Sequence, residues 1–376
     1  MIKYSGEPLR PSSMAQILEI WNHVQRRLFP MLEEEMGELT EKDRHFVRVV
    51  SLVTLDPFLE PYRWSGVGCP PKERACIARA FIAKAVYQFP TTRALLDALQ
   101  ARPVLRRLCR WESIGEIPSE ATFSRAFADF SADELTQRIH AAMVQQHWGT
   151  KLVGHISRDA TAIDAREKPA PKAPLPPAVP KKRGRPAKGE VRPPPPPTRL
   201  EQQPTRSLAE NLADLPRQCA VGCKRNSKGH QETWIGYKLH LDSIDAEFPV
   251  SAILTGAAVH DSQVAIPLAQ MTAQRVTSLY DLMDSAYDAP PIHAFSRNLG
   301  HVPIIDPNPR RGVKIPLAPA EQARFCERTA AERVNSQLMD NFGGRFVRVR
   351  GAGKVMTHLM FGIIALTATQ LYQLII

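Results

Sequence analysis

Gly154-His155-Ile156-Ser157-Arg158-Asp159-Ala160-Thr161-Ala162-Ile163 is the stretch from which the rest of the chain can be read. Apolar and polar residues alternate along it and β-branched side chains recur, so it reads as a strand. Asp159 sits near its middle. A carboxylate there is costly to bury unless it is paired or holds a cation. Two further acids stand in comparable settings. Asp284 ends the run Ser278-Leu279-Tyr280-Asp281-Leu282-Met283-Asp284, and Glu332 lies in the helical stretch Glu327-Arg328-Thr329-Ala330-Ala331-Glu332-Arg333-Val334-Asn335. Any one of these acids alone is best explained as a solvated charge or half of a salt bridge. It is the set of three that makes a candidate site.

Downstream, Trp234-Ile235-Gly236-Tyr237-Lys238-Leu239-His240-Leu241 alternates as a strand and Phe248-Pro249-Val250-Ser251-Ala252-Ile253-Leu254 is the next, which implies a hairpin across residues 242–247. Asp261 is placed to cap a helix running to about Gln274. There follow the strand ending at Asp284, a short helix over 292–299, the strand Val302-Pro303-Ile304-Ile305-Asp306 and a basic loop, Arg310-Arg311-Gly312-Val313-Lys314. The Glu332 helix and an apolar C-terminal helix close the chain. Strand, hairpin, strand, helix, strand, helix, strand, helix is the order of an α/β, RNase H-like mixed sheet flanked by helices.

Upstream, residues 12–148 read as mostly α-helical. The run from Arg74 to Tyr87 has helix-forming composition and stops before Pro90. Thr91 or Thr92 can cap the next helix, with Leu95, Leu96 and Leu99 on its apolar face, and Ser119 can cap another. Two short helices joined by a turn, the second offering Ser124 and Arg125, suit a helix-turn-helix that reads DNA. They equally suit a plain bundle with Phe123 and Phe127 in its core, and such bundles are the commoner case.

Residues 169–206 differ in kind. Prolines recur throughout and run unbroken from Pro193 to Pro197, so this reads as a disordered linker that interrupts the α/β region and is dispensable for folding. Within it Arg183-Gly184-Arg185-Pro186 is similar to an AT-hook, whose arginines enter a narrow minor groove. A basic linker that only meets phosphates explains the same residues.

The formal charge of +11 and the pI near 9.5 fit a polyanion binder, nucleic acid being the commonest polyanion. Six cysteines in 376 residues make no disulfide framework and imply a reducing, cytoplasmic setting. Cys219, Cys223, His230 and His240 have poor spacing for zinc. The N-terminus lacks the apolar core of a signal peptide. The apolar C-terminal run carries His358, Thr367, Thr369, Gln370 and Gln373, so it falls short of the ~20 apolar residues of a membrane span and reads as a helix packed on a sheet.

Phosphoryl transfer on DNA concentrates negative charge at a phosphate. Two divalent ions can clamp the attacking and leaving oxygens, and magnesium is held by few, hard carboxylates. Three acids on separate elements suit this if the sheet brings them to one end. Asp281 rivals Asp284 for the second position but lies further from the loop end. On the Glu332 helix, Ala331, Val334, Leu338 and Phe342 make the core face, leaving Glu332 on the flank with Arg328 and Ser336. Asp164 and Glu167 read as surface charges.

With these residues in place, the chain resembles a bacterial insertion-sequence transposase of the DDE class. The stretch from Arg158 to Lys168 looks like that family's first-acid motif, and Asp284-Ser285-Ala286-Tyr287 is similar to its Asp-x-x-Tyr motif. Around the third acid the family shows Tyr, Arg, Glu and Lys. Here those positions are Phe325, Arg328, Glu332 and Met339, so the outer two depart from the pattern. The helical stretch from Ala80 to Phe127 looks like the accompanying N-terminal domain.

The resemblance implies a helical DNA-end-binding domain over 1–150 and a catalytic domain over 151–376. It implies two magnesium (or manganese) ions on Asp159, Asp284 and Glu332, with Arg328 steadying Glu332 or a phosphate. It implies double-stranded DNA with terminal inverted repeats and target DNA as partners, a homo-oligomer (a dimer) on that DNA, and no membrane. The reaction would cut the element ends and join their 3′-hydroxyls to target DNA. By charge alone, Arg183, Arg185, Lys224, Arg225, Lys228, Lys238, Arg310, Arg311, Lys314 and Arg333 are candidates for the DNA path. A DNA-binding relic without catalysis is the alternative from another class. A sugar hydrolase using Asp159 and Glu332 is disfavoured by the basic charge and the 7% aromatic content.

Overall fold

The computed structural model describes residues 13–68, 70–171, 196–225, 229–309, 313 and 315–374. Within these, six strands form one sheet: β1 (Leu152–Asp164), β2 (Ala220–Arg225), β3 (Gln231–Ile244), β4 (Phe248–Gly256), β5 (Thr277–Met283) and β6 (Val302–Ile305). The order across it is β4-β3-β1-β5-β6, with β2 pairing the first half of β3. β1 is antiparallel to β3 and parallel to β5, and β5 is parallel to β6, the mixed arrangement expected of an RNase H-like fold. β1 is hydrogen-bonded on both sides, so its alternation sorts side chains to two covered faces. Asp159 meets Asn335 of the Thr329–Asn341 helix on one face, while the Arg158 network reaches Thr272 of the Ser262–Ala273 helix on the other. At the far end of β1 the backbones of β1 and β3 close tightly. A Cβ on Gly236 would lie 2.0 Å from the Ile163 carbonyl oxygen, so only glycine fits there.

The N-terminal helices form as their sequence suggests. Thr91 Oγ1 accepts from Ala94 N at 3.0 Å to cap Thr92–Ala101, and Ser119 Oγ accepts from Thr122 N at 3.4 Å to cap Glu120–Ala132. Phe123 and Phe127 are core residues, packed with Phe81 and Phe361 in an aromatic cluster, as the bundle reading has it.

The N-terminal helices and the sheet share apolar packing. One apolar cluster runs from Ile17 to Tyr372 and includes residues of β1, β3 and β4. Its centre is the Ala352–Gln373 helix, which packs on the Glu41–Leu52, Arg74–Val86, Glu120–Ala132 and Leu135–Trp148 helices and also on β4. That helix is long and apolar enough to cross a membrane, but 89% of its apolar window is buried inside the protein, where each large side chain contributes roughly 1.5–3 kcal/mol.

Other expectations need correction. The end of the proline-rich stretch is ordered and packed: Thr198 caps a helical turn at Arg199–Gln202, and fully buried Gln203 donates from Nε2 to the Gln263 carbonyl at 2.6 Å. A deletion reaching residue 205 would therefore remove folded structure. Glu167, read as a surface charge, is partly buried and tied down, its Oε1 accepting from the Tyr237 hydroxyl and from Gly351 N. Asp261 precedes its helix without capping it, and its carboxylate is drawn to Lys238 instead. Asp242 lies within β3, not in the turn, and short β2 was not anticipated.

Candidate active site

The sheet brings two of the three expected acids to one place. Asp159 points from β1 toward the Thr329–Asn341 helix, where its Oδ2 accepts from Asn335 Nδ2 at 2.9 Å. Asp284 follows the last residue of β5, and its Oδ1 accepts from Ala286 N at 2.8 Å, which fixes the carboxylate at the head of the short turn Ser285–Tyr287. Arg328 serves both. Its Nη1 lies 3.8 Å from Asp159 Oδ1, and its positive charge is also felt by Asp284.

Burial dominates the electrostatics here. Loss of solvent raises the Asp159 pKa to about 6 against the pull of Arg328, with the Asp284 charge adding to the rise. Burial raises Asp284 as well, reinforced by Asp261 and Asp306 and opposed by its hydrogen bond from Ala286 and by Arg328. Two acids so placed hold their protons longer than ordinary carboxylates and lack a full complement of positive partners.

Glu332 is not gathered with them. Its side chain is half exposed and accepts from Arg328 Nη2, one turn earlier. Among the described residues no three His, Cys, Asp or Glu side chains come close enough together to hold an ion. Yet Glu332 lies on a stripe between Arg328 and Asn335, both of which meet Asp159. The helix thus sets its Cα beside the site while the carboxylate points outward.

Two buried polar atoms near the aspartates have no partner among the described residues: the Tyr287 hydroxyl and Asn335 Oδ1. Tyr287 is fully buried. Its pKa is raised first by burial and then by the charges of Asp261, Asp159 and Asp284. Hard carboxylate oxygens beside unsatisfied polar atoms form a donor set that suits a hydrated divalent cation.

Asp281, the rival, is spoken for. It is 2% exposed, accepts from Ser296 Oγ at 2.5 Å and from His301 Nδ1 at 3.2 Å, and faces Arg158. Burial pushes its pKa up, but the His301 hydrogen bond and Arg158 outweigh that and hold it below the ordinary value.

Over residues 158–368, more than half of its length, the chain matches the family model described as Transposase DDE domain. The chain belongs to the DDE transposases of insertion sequences. Residues 34–129 match a second family model, Transposase domain (DUF772), which covers most of the N-terminal helices of this transposase. No curated protein and no solved structure matches the chain. Members of the family generally act with divalent metal ions.

Placement of the candidate DNA contacts varies. Lys238 is mostly buried, donating to Asp261 Oδ1 at 2.8 Å and to the Val259 carbonyl at 3.0 Å, so it is not a free surface cation. Arg333 is held by Glu247 at the β3–β4 turn. Lys224 stands on exposed β2, 3.6 Å from Glu232, and Arg225 ends that strand. Arg183, Arg185, Lys228, Arg310, Arg311 and Lys314 lie outside the described residues. Phe325 stacks under the Arg328 guanidinium at 5.7 Å, and Met339 packs against the core. Sequence reasoning missed Asn335, although its spacing of three from Glu332 was a signal that it shares that flank.

Proposed function

We propose that this transposase cleaves DNA at the ends of its insertion sequence and joins the freed 3′-hydroxyls to target DNA, with Asp159, Asp284 and Glu332 as its acids. The observation that carries the reading is the convergence of Asp159 and Asp284 on Arg328, one helical turn from Glu332. Two magnesium or manganese ions held there would neutralise charge at the reacting phosphate and activate the attacking oxygen. In this reading Arg328 supplies the positive charge that the aspartates otherwise lack. Glu332 joins them by giving up its pair with Arg328, a surface contact of little energy. Arg328 is then free to meet a phosphate. Asn335 keeps the Asp159 carboxylate in one orientation through its amide donor. Lys224, Arg225 and Arg333, with Arg310 and Arg311, supply sequence-independent contacts to the DNA backbone. A dimer would hold the two ends of one element together.

The test is cleavage of duplex carrying the element's terminal repeats, in magnesium, by the wild type and by Asp159→Asn, Asp284→Asn and Glu332→Gln. Each variant should bind the duplex in calcium as the wild type does and fail to cut it. If all three cut normally, the catalytic assignment is wrong and a DNA-binding relic is the better account.

A further inference from the structure

A cavity of about 590 Å³ opens between the Arg74–Val86 and Glu120–Ala132 helices and the start of the Ala352–Gln373 helix, and none of the three acids lines it. Its volume falls in the range of small-molecule sites. Lys84 stands in its wall. This lysine is only 8% exposed, and its ammonium has no hydrogen bond or ion pair among the described residues. Burial alone lowers its pKa to about 8. His358, also in the wall, is pushed down to about 3 by burial and by the Lys84 charge, so it stays neutral and adds no further positive charge. Around the mouth stand Arg93, Arg166, Arg348, Arg350 and Lys354; among the described residues one carboxylate lines the cavity, Glu120, 4.0 Å from Arg93, which also pairs with Asp97 at 3.2 Å. The remaining wall is aromatic, from Phe81, Phe123, Phe127 and Phe361.

A buried ammonium without a partner is costly. An anion removes that penalty, and the cations at the mouth supply further positive charge for one that carries more than one negative charge. Guanidinium groups match phosphate oxygens in geometry as well as charge, and an aromatic wall suits a flat ring. We infer that this cavity binds a phosphate-bearing ligand of nucleotide size, with Lys84 on the phosphate and the arginines of the mouth closing over it. The inference is independent of the catalytic reading, since it uses none of the same residues.

The full chain in EDTA is titrated calorimetrically with inorganic phosphate, with AMP and with a 5′-phosphorylated single-stranded trinucleotide. The wild type should bind at least one of them. Lys84→Met should lower that affinity at least tenfold and melt no lower than the wild type, because it keeps the side-chain length and removes a buried charge. The double variant Arg348→Gln/Lys354→Gln at the mouth should weaken binding in the same direction and serves if Lys84→Met fails to fold. Asp159→Asn should bind as the wild type does. Preference for phosphate or AMP identifies a free nucleotide as the source of the phosphate, and preference for the trinucleotide identifies a strand end. No binding of any probe, equal affinity in the cavity variants, or loss of binding in Asp159→Asn overturns the inference.

Discussion

Arg158 and Asp159 are neighbours on β1, yet their charges meet opposite fates. Arg158 is fully buried and donates from Nε and Nη2 to the two oxygens of Asp242, its cross-strand partner, at 2.8 and 2.7 Å. Asp242 also accepts from Thr272 at 2.6 Å, and Asp281 adds its charge nearby. Burial works against the Arg158 charge, but Asp242 more than offsets this and holds the guanidinium firmly protonated. On the other face Asp159 is met by the Asn335 side-chain amide at 2.9 Å, by the Ala160 backbone N–H and by a guanidinium at 3.8 Å. The closed set is complete and structural. The open set has spare acceptors and unsatisfied neighbours, which is what a site for a transient partner requires.

The contrast can be broken most sharply on β5. If Asp284 is a metal ligand as proposed, Asp284→Asn should reduce end cleavage by about three orders of magnitude or more, since losing such a ligand removes several kcal/mol of transition-state stabilisation. Asp281→Asn, on the closed side, should leave turnover per folded molecule within a few-fold while lowering the melting temperature. The opposite pattern in a gel cleavage assay would mean that the open and closed sets have been exchanged.

Arg158→Met tests the closed set directly. It leaves Asp242 buried without its cation and should cost about 3–5 kcal/mol in urea unfolding. A loss under 1 kcal/mol would show that the pair is not the buried tie described.

Asp159→Asn should do the reverse at neutral pH. The folded-state pKa of Asp159, about 6, is raised above its unfolded value. Its favourable contribution is therefore present at low pH and is lost as pH rises through 6. The Asn variant should be more stable than the wild type at pH 8, by up to about 3 kcal/mol, with the gap shrinking towards pH 4. Melts at both pH values measure this, and a gap that does not change with pH would contradict it. The smallest stability effect belongs to Glu332→Gln, whose exposed pair with Arg328 should shift unfolding by under about 1 kcal/mol. Calorimetry that found a larger loss would place Glu332 among the structural residues.

Much of this was legible because it is local. Alternation marks β1, β3 and β4, and the four core positions Ala331, Val334, Leu338 and Phe342 are buried as their helical spacing requires. That Asp284 stands just past the end of β5 and Asp281 within it was readable from their places in the run. What could not be read depends on contacts far apart in sequence. Asp242 was assigned to a turn, so its pairing with Arg158 was invisible. Lys238 looked like one more basic surface residue until Asp261, 23 positions on, came to meet it. The shared core was hidden for the same reason, since nothing in the helices before residue 150 says that their apolar faces await a helix beginning at Ala352.

That last dependence has a kinetic side. The apolar faces of the Arg74–Val86 and Glu120–Ala132 helices emerge from the ribosome more than two hundred residues before the helix that covers them. At about 5–20 residues per second the interval is tens of seconds. Throughout it those faces are a surface for chaperones or for aggregation, and contacts this distant in sequence form slowly even once the partner is present. A nascent chain arrested before Ala352 would carry all three proposed acids yet lack the helix around which the shared core assembles.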